Sequence, residues 1–125
     1  MNAPLGLHHS SFPVLDLERS LAFYTGVLGL QPLPRPDLGV PGAWLAVGDG
    51  QIHLIETPAG ADVGTPPGTT NPMGRHEALA VADLPAMIAH LEGAGLEVTR
   101  FGRSDTQCWV HDPDGHVIEF IVPAG

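Results

Sequence analysis

The chain contains an internal repeat, and this repeat constrains the fold more than any other feature of the sequence. Residues 9–17 read HSSFPVLDL and residues 76–84 read HEALAVADL, with an Asp seven positions after the His in both copies. Further along, Ile-His-Leu at 52–54 matches Ile-Glu-Phe at 118–120. Self-similarity of this kind is typical of a doubled supersecondary unit whose copies bury their apolar surface together. The repeat therefore predicts two related modules.

Each copy has the same order of predicted elements, βαβββ. A first strand alternates large apolar residues with small or polar ones, and a helix follows Asp16 or Asp83, which are favoured N-cap residues. The remaining strands are predicted at 31–35, 43–47 and 51–56 in the first copy, and at 97–101, 107–111 and 116–122 in the second. The Pro/Gly-rich stretch 58–74 is predicted to be an irregular linker. We expect one domain over 1–125, made of modules at about 7–57 and 75–122.

The balance of acidic and basic residues limits the kinds of molecule that the chain is expected to bind. Five basic residues, all Arg, oppose fourteen acidic ones, and the formal net charge is −9. Such a surface disfavours nucleic acid and anionic membranes, because phosphate binding relies on clustered Lys and Arg. No apolar run approaches the roughly 18 residues of a membrane span, and the N-terminus lacks the pattern of a signal peptide. The lone Cys108 excludes a disulfide framework within the chain. These features favour a reduced, cytoplasmic setting.

Strand alternation places four potential metal ligands on the strand faces that point away from the helices. In each of four strands the large apolar residues are expected to face the helix, so the residues between them face the other way. The residues placed on that second face include His9, His53, His76 and Glu119. Three imidazoles and a carboxylate suit Zn, Ni, Fe or Mn. A carboxylate within the apolar segment Val-Ile-Glu-Phe-Ile is costly to bury unless it is paired or bound to a metal.

A few other residues are candidates for contact with a small-molecule substrate. Ser11 shares a face with His9 and is predicted to form a hydrogen bond to the substrate. Trp44 and Trp109 occupy related strands and are predicted to be core or cavity walls first, and an aromatic substrate clamp second. Cys108 alternates within a strand and is predicted to be buried and unreactive.

The segment HSSFPVLDLERSLAFYTGVLG, from His9 to Gly29, and the ending WVHDPDGHVIEF resemble the vicinal oxygen chelate superfamily. That superfamily includes glyoxalase I, epimerases, extradiol dioxygenases, fosfomycin thiol transferases and bleomycin resistance proteins. The resemblance covers 7–122 and implies an α+β fold in which two βαβββ modules form a curved mixed sheet around a cavity. It also implies a homodimer with sites at the subunit interface. The metal ligands implied are His9, His53, His76 and Glu119, although glyoxalase I typically has Glu or Gln in place of this second His.

These observations predict a metal-dependent enzyme acting on a small oxygen-bearing substrate, lyase- or isomerase-like and related to glyoxalase. In this hypothesis Glu119 is both a ligand and the catalytic proton acceptor, as the isomerases of the family suggest. Two alternatives stay open. One is an Fe(II)- or Mn(II)-dependent ring-cleaving dioxygenase that uses His9, His76 and Glu119 as its triad. The other is a non-catalytic protein that sequesters a drug and binds no metal.

Overall fold

The two copies of the repeat fold into two units in a computed structural model that describes residues 2–102 and 104–124. The first unit extends to Val63 and the second begins at Gly64. Elements follow the order βαβββ in the first unit, which confirms the α+β class predicted from the repeat. Whether the two modules make up one domain stays a prediction.

The first unit is a four-stranded mixed sheet with one helical segment. Its elements are β1 (His9–Val14), α1 (Leu17–Leu21), a π-helical segment (Ala22–Val27), β2 (Gln31–Leu33), β3 (Gly42–Val47) and β4 (Gly50–Glu56). The strand order is β1-β4-β3-β2, in which β1 runs parallel to β4 and the other neighbours are antiparallel. The strand that begins the module therefore lies beside the strand that ends it.

The helical segment begins as predicted and then changes its geometry. The Asp16 carboxylate accepts a hydrogen bond from the backbone N–H of Arg19 at 3.2 Å, as an N-cap does. After Leu21 the chain continues as a π-helix rather than an α-helix. The Thr25 hydroxyl donates to the Leu21 carbonyl at 2.5 Å. A side-chain hydroxyl at this position competes with the backbone for the carbonyl and disturbs regular helix geometry.

The second unit is a three-stranded sheet with one α-helix. Its elements are β5 (Glu77–Ala80), α2 (Leu84–Gly93), β6 (Gln107–His111) and β7 (Val117–Ile121), and the sheet order is β5-β7-β6. The strand predicted at 97–101 is wrong in extent, because only Thr99 pairs there, through two backbone bonds to Trp109 of 2.8 and 2.9 Å. The chain turns soon afterwards at Gly102, whose φ is +62°. A positive φ ends extended backbone.

The large apolar residues that the alternation assigns to the helix side of β4 and β7 are buried, as predicted. Ile52 and Leu54 of β4 are 2% and 0% exposed, and Ile118 and Phe120 of β7 are 0% and 1% exposed. The residues between these apolar side chains therefore lie on the opposite face of each sheet. Residues 57–76 contain only turns and bends, with no helix or strand. Among the described residues, no helix combines the length and the apolar character needed to cross a bilayer.

Candidate functional site

The repeat places two pairs of potential ligands at equivalent positions of the two sheets. In the first unit, His53 of β4 lies opposite Ser11, two residues beyond His9. In the second unit, Glu119 of β7 lies opposite the residue two positions beyond His76. Residues two apart on a strand share a face, so each pair occupies the face of its sheet that the apolar residues leave free. The sequence alignment of the two copies thus corresponds to a structural equivalence.

The pair in the second unit has the chemistry of a cation site. His76 Nε2 lies 3.1 Å from Glu119 Oε1. His76 Nδ1 lies 2.8 Å from the Gly74 carbonyl oxygen, which can only accept, so Nδ1 carries a proton. In the neutral ring, the lone pair of Nε2 therefore faces a carboxylate oxygen, an arrangement that requires a proton or a cation between them. Metal-bound imidazoles usually donate their other N–H to a carbonyl in this way.

The Glu119 carboxylate is held on its other side as well. Its side chain is buried, and its Oε2 accepts a hydrogen bond of 2.8 Å from the Gln107 amide. Trp109 lies opposite Glu119 in the β6–β7 register and meets His76 edge-on, with ring centroids 4.7 Å apart. One carboxylate oxygen is thus fixed by Gln107, and the other is directed at His76. Sequence reasoning missed Gln107, although its shared face with Trp109 was a usable signal.

The pair in the first unit is part of a stack of three rings. His53 lies between His9 and Trp44, with centroid distances of 3.8 and 4.7 Å and an interplanar angle of 12° in both contacts. The His53 Nε2 and the Gln51 Oε1 are 2.7 Å apart, so Nε2–H donates and Nδ1 keeps its lone pair. The three rings thus form a continuous flat stack on this face of the first sheet.

The electrostatic environment keeps His53 neutral. Burial is the largest cause that lowers the pKa of His53 below its ordinary value of 6.5, and the neighbouring His9, His8 and Arg35 lower it further. His8 is exposed, with its Nδ1 2.8 Å from the His9 Nδ1. Neutral imidazole is the form that binds metals. The lowered pKa of His53 therefore favours the neutral form of this ring, which is the form that a divalent ion requires.

Each unit contributes a pair of donors rather than a complete set. Within either unit, the described residues do not gather three or more His, Cys, Asp or Glu side chains into a metal-ion site. A set of four donors needs both pairs, from one chain or from two. The predicted ligand set of His9, His53, His76 and Glu119 stays a prediction, and the chemistry of each pair is compatible with it.

The predicted substrate-contact residues lie on the faces that carry these donors. Ser11 is exposed on β1, opposite His53, and Trp44 and Trp109 are the register neighbours of His53 and Glu119. These positions place both indole rings against the candidate donors. Trp109 is buried and Trp44 is partly buried, and the roles predicted for the two tryptophans, as cavity walls and as substrate contacts, stay predictions.

A cavity of about 500 Å³ opens in the second unit, lined in part by Thr70, Thr99, Phe101 and His111. His111 lies two residues beyond Trp109 on β6, so both side chains share the face of Glu119. The Thr70 hydroxyl and the His111 Nε2 are 2.7 Å apart. Residues 68–70, which lie within the Pro/Gly-rich stretch 58–74, therefore line this cavity and do more than connect the modules.

The model of the glyoxalase/bleomycin resistance protein/dioxygenase superfamily matches residues 6–120 of the chain. The chain belongs to this superfamily. It is 32% identical over 120 residues to a protein named glyoxylase I 4 from Arabidopsis thaliana, a match that covers 90% of this chain and 68% of the relative. It is also 32% identical over 121 residues to lactoylglutathione lyase from Haemophilus influenzae, covering 90% of this chain and 89% of that enzyme.

Solved structures of the superfamily share the fold. TnmS3, an antibiotic binding protein from Streptomyces sp. CB03234, aligns with a TM-score of 0.75 at 26% identity and covers 99% of each chain. The fosfomycin resistance protein FosX from Listeria monocytogenes aligns with a TM-score of 0.77 at 15% identity, covering 98% of this chain and 94% of that one. At that low identity, the second likeness shows the fold alone. The glyoxalase-like fold class implied by the family resemblance is confirmed.

Proposed function

We propose that this chain is a metal-dependent enzyme of the vicinal oxygen chelate type that acts on a small substrate with adjacent oxygen atoms. The observation that carries the proposal is the contact of His76 Nε2 with Glu119 Oε1 at 3.1 Å, in a ring whose other nitrogen donates to a backbone carbonyl. The equivalent position of His9 and His53 in the first sheet supports it. So do the relatives, two of which are named as lactoylglutathione lyases.

The four donors His9, His53, His76 and Glu119 would hold one divalent ion of the Zn, Ni, Fe or Mn type. When bound, such an ion supplies Lewis-acid polarisation of the substrate oxygens. Within each unit the two donors lie on one face of the strand pair, opposite the face that carries the large apolar side chains. The protein's own contribution is to fix the orientation of these side chains, for example through the Gly74 carbonyl that fixes the His76 ring.

Glu119 is the residue we assign to proton transfer. In a lyase or isomerase reaction, one carboxylate oxygen removes the proton from the carbon next to a substrate carbonyl. The electron pair left on this carbon forms a double bond to the carbonyl carbon, and the carbonyl π pair moves onto its oxygen. The proton then returns at the former carbonyl carbon, while the hydroxyl on the first carbon passes its proton to the other oxygen and becomes the new carbonyl. Gln107 holds Oε2 at 2.8 Å throughout, so that Oε1 is the oxygen free to exchange between His76 and the substrate. Burial of the carboxylate excludes water from the exchange.

The first experiment is elemental analysis of the purified full chain, followed by assays with three kinds of substrate. We expect a stoichiometric divalent metal, and turnover of the hemithioacetal of methylglyoxal and glutathione or of a thiol paired with an electrophile. Catechol is the third substrate, and oxygen uptake with it would identify a ring-cleaving dioxygenase instead. A protein that takes up no divalent metal after reconstitution with Zn, Ni, Fe and Mn contradicts the proposal.

One observation favours a second candidate, a non-catalytic protein that sequesters a drug. The stack of His9, His53 and Trp44 presents flat rings, which suit a planar ligand. An antibiotic binding protein is also among the similar structures. The two candidates differ in metal dependence. A sequestering protein is expected to bind its ligand equally well before and after treatment with a chelator, whereas the enzyme is expected to lose substrate binding with its metal.

A further inference from the structure

Arg35 lies on the face of the first sheet that carries the candidate donors. In the β2–β3 register Leu33 lies opposite Trp44, so Arg35, two residues on, falls opposite Gly42. The packing agrees with the register, because a Cβ placed on Gly42 would lie 2.7 Å from an Arg35 Nη atom and 2.9 Å from its central carbon. The guanidinium therefore covers Gly42 on the same face as Trp44 and its neighbour His53.

Among residues 2–102 and 104–124, no carboxylate is paired with the Arg35 guanidinium to balance its charge. Its Nε atom is shielded from water and has no hydrogen-bond partner among the described residues. The chain has fourteen acidic residues against five basic ones, yet none of the described carboxylates forms an ion pair with Arg35. A charged group that is partly removed from water without a partner costs free energy. Its placement beside the candidate site is therefore not explained by contacts within the protein.

The corresponding position in the second unit carries a different kind of side chain. Thr99 pairs with Trp109 there as Leu33 pairs with Trp44, so the counterpart of Arg35 is Phe101. The Phe101 ring meets Trp109 edge-on at a centroid distance of 5.9 Å. One copy of the repeat thus places a cation beside its tryptophan, and the other places an aromatic ring. The cation is a specific feature of the first unit rather than a property of the repeated fold.

We propose that Arg35 is a substrate-binding residue that holds a carboxylate of the substrate beside His9 and His53. A guanidinium offers parallel N–H groups that match a planar carboxylate, and such charge-assisted pairs are the strong class of hydrogen bond. The Nη atoms are the donors for this contact, because Nε is enclosed by the protein. This proposal rests on the proposed function for the position of the substrate. It adds to that function a class of substrate, namely compounds that carry a carboxylate.

The test uses NMR spectroscopy of the full chain labelled with ¹⁵N, without added metal. The chain has only five arginines and no lysine, so the side-chain Nε–H region is simple, and the Arg35 signal is assigned by its loss in Arg35→Lys. Glutarate is the probe, and its neutral diamide is the control ligand. We expect a saturable shift of the Arg35 signal with glutarate only. The exposed Arg19 on α1 serves as the internal reference.

Three results would overturn the assignment. They are an Arg35 signal that does not move with glutarate, an Arg19 signal that moves with the same concentration dependence, and a stronger response to methylphosphonate than to glutarate. The Arg35→Gln variant is expected to weaken glutarate binding by about tenfold or more, as loss of a hydrogen-bonded charged group does. The matched Arg19→Gln variant, which removes the same charge elsewhere, is expected to keep the affinity of the natural chain.

A second arm separates this proposal from the proposed function. Succinic monohydroxamate and its methyl ester both present adjacent oxygens to a metal, but only the first has a free carboxylate. On metal-loaded protein we expect the carboxylate form to bind about tenfold more tightly, and Arg35→Gln to equalise the two. If the chain binds no metal, the proposed function fails, and the titration of the metal-free chain with glutarate still decides the role of Arg35.

Discussion

At the scale of single residues, the Gly74 carbonyl determines which ring nitrogen of His76 donates a hydrogen bond. Because the Gly74 carbonyl can only accept, His76 offers Nε2 alone to any other partner. That nitrogen faces the buried carboxylate of Glu119, which Gln107 holds from the other side. Three side chains and one carbonyl thus fix a negative charge and a lone pair at a short distance from each other. The site is therefore organised for a positive charge before any ligand arrives.

The substitution Glu119→Gln tests this arrangement. It removes the only charged donor of the proposed set and replaces one carboxylate oxygen by an amide N–H₂, so we expect at least about tenfold weaker metal binding. Turnover is expected to fall further, since an amide cannot accept the substrate proton. The measurements are metal titration and steady-state kinetics. Glu92→Gln removes an exposed carboxylate on α2 and is the matched control. Full metal occupancy in Glu119→Gln would contradict the site.

Cys108 gives a pH-dependent prediction. It is fully buried, and burial raises the pKa of its thiol above the ordinary value of 9.0. The thiolate is the reactive form, so iodoacetamide at pH 8 is expected to modify Cys108 only after unfolding. A raised pKa in the folded state means that its stabilising effect is complete below the ordinary pKa and is lost as the pH rises through the raised value. Denaturant titrations should show stability declining above about pH 9, less steeply in Cys108→Ala.

At the scale of elements, Gly42 of β3 is a position where neighbouring groups approach the backbone closely. A Cβ on Gly42 would lie 2.5 Å from the Leu54 carbonyl oxygen, which belongs to the backbone of the neighbouring strand. The same Cβ would also meet the Arg35 guanidinium. Glycine at this position is therefore required by the approach of another strand and of a side chain. It is the point where the packing of the sheet and the position of Arg35 depend on each other.

The substitution Gly42→Ala is expected to destabilise the chain by about 1–3 kcal/mol, because backbone has to move to admit the methyl group. It should also displace Arg35 and reduce its response to glutarate. Gly93→Ala, at the end of α2, is the control, since a Cβ there meets nothing within 4 Å. That control is expected to be neutral or to stabilise by up to about 1 kcal/mol. Urea titrations compare the two, and equal stabilities would refute the packing argument.

The elements also show what sequence alone can predict. The alternation of apolar residues correctly predicts which side chains of β4 and β7 pack on the helix side. This succeeds because each apolar side chain is stabilised by leaving water, whatever its exact neighbours are. The π-helix could not be predicted, since the spacing of apolar residues does not distinguish it from an α-helix. The bond from Gln107 to Glu119 depends on the register between two strands. Sequence fixes which face a residue takes, but not which neighbour it meets across the sheet.

At the scale of the whole molecule, the surface combines high net charge with exposed apolar side chains. The charge is −9, which opposes close approach of two copies at low ionic strength. Several large apolar residues are nevertheless more than half exposed: Leu5, Leu7, Leu15, Leu38 and Met73. Apolar area of this kind is removed from water when chains associate. Salt screens the repulsion and leaves the apolar contribution unchanged.

We therefore predict a homodimer, as the family resemblance also implies. Light scattering on the eluting peak from size exclusion should give about twice the chain mass of 13.1 kDa at micromolar concentration. Because added salt screens the repulsion between acidic copies, the dimer is expected to persist or tighten from 50 to 500 mM NaCl, by the screening argument above. A monomer across this range would contradict the prediction. The measurement is made on metal-free and on metal-loaded protein. If the metal ligands come from both chains of the dimer, metal binding is expected to favour dimer formation.

The structural equivalence of His53 and Glu119 bears on how a protein of this kind diverges over generations. A gene that encodes the same strand twice can exchange an imidazole for a carboxylate in one copy while the other copy stays as it was. Each such exchange would alter the charge presented to an ion at the proposed site without altering the backbone that carries the side chain. Lineages descended from such a duplication can therefore retune the acidity of their ion in single steps, and different chemistries can arise on one scaffold.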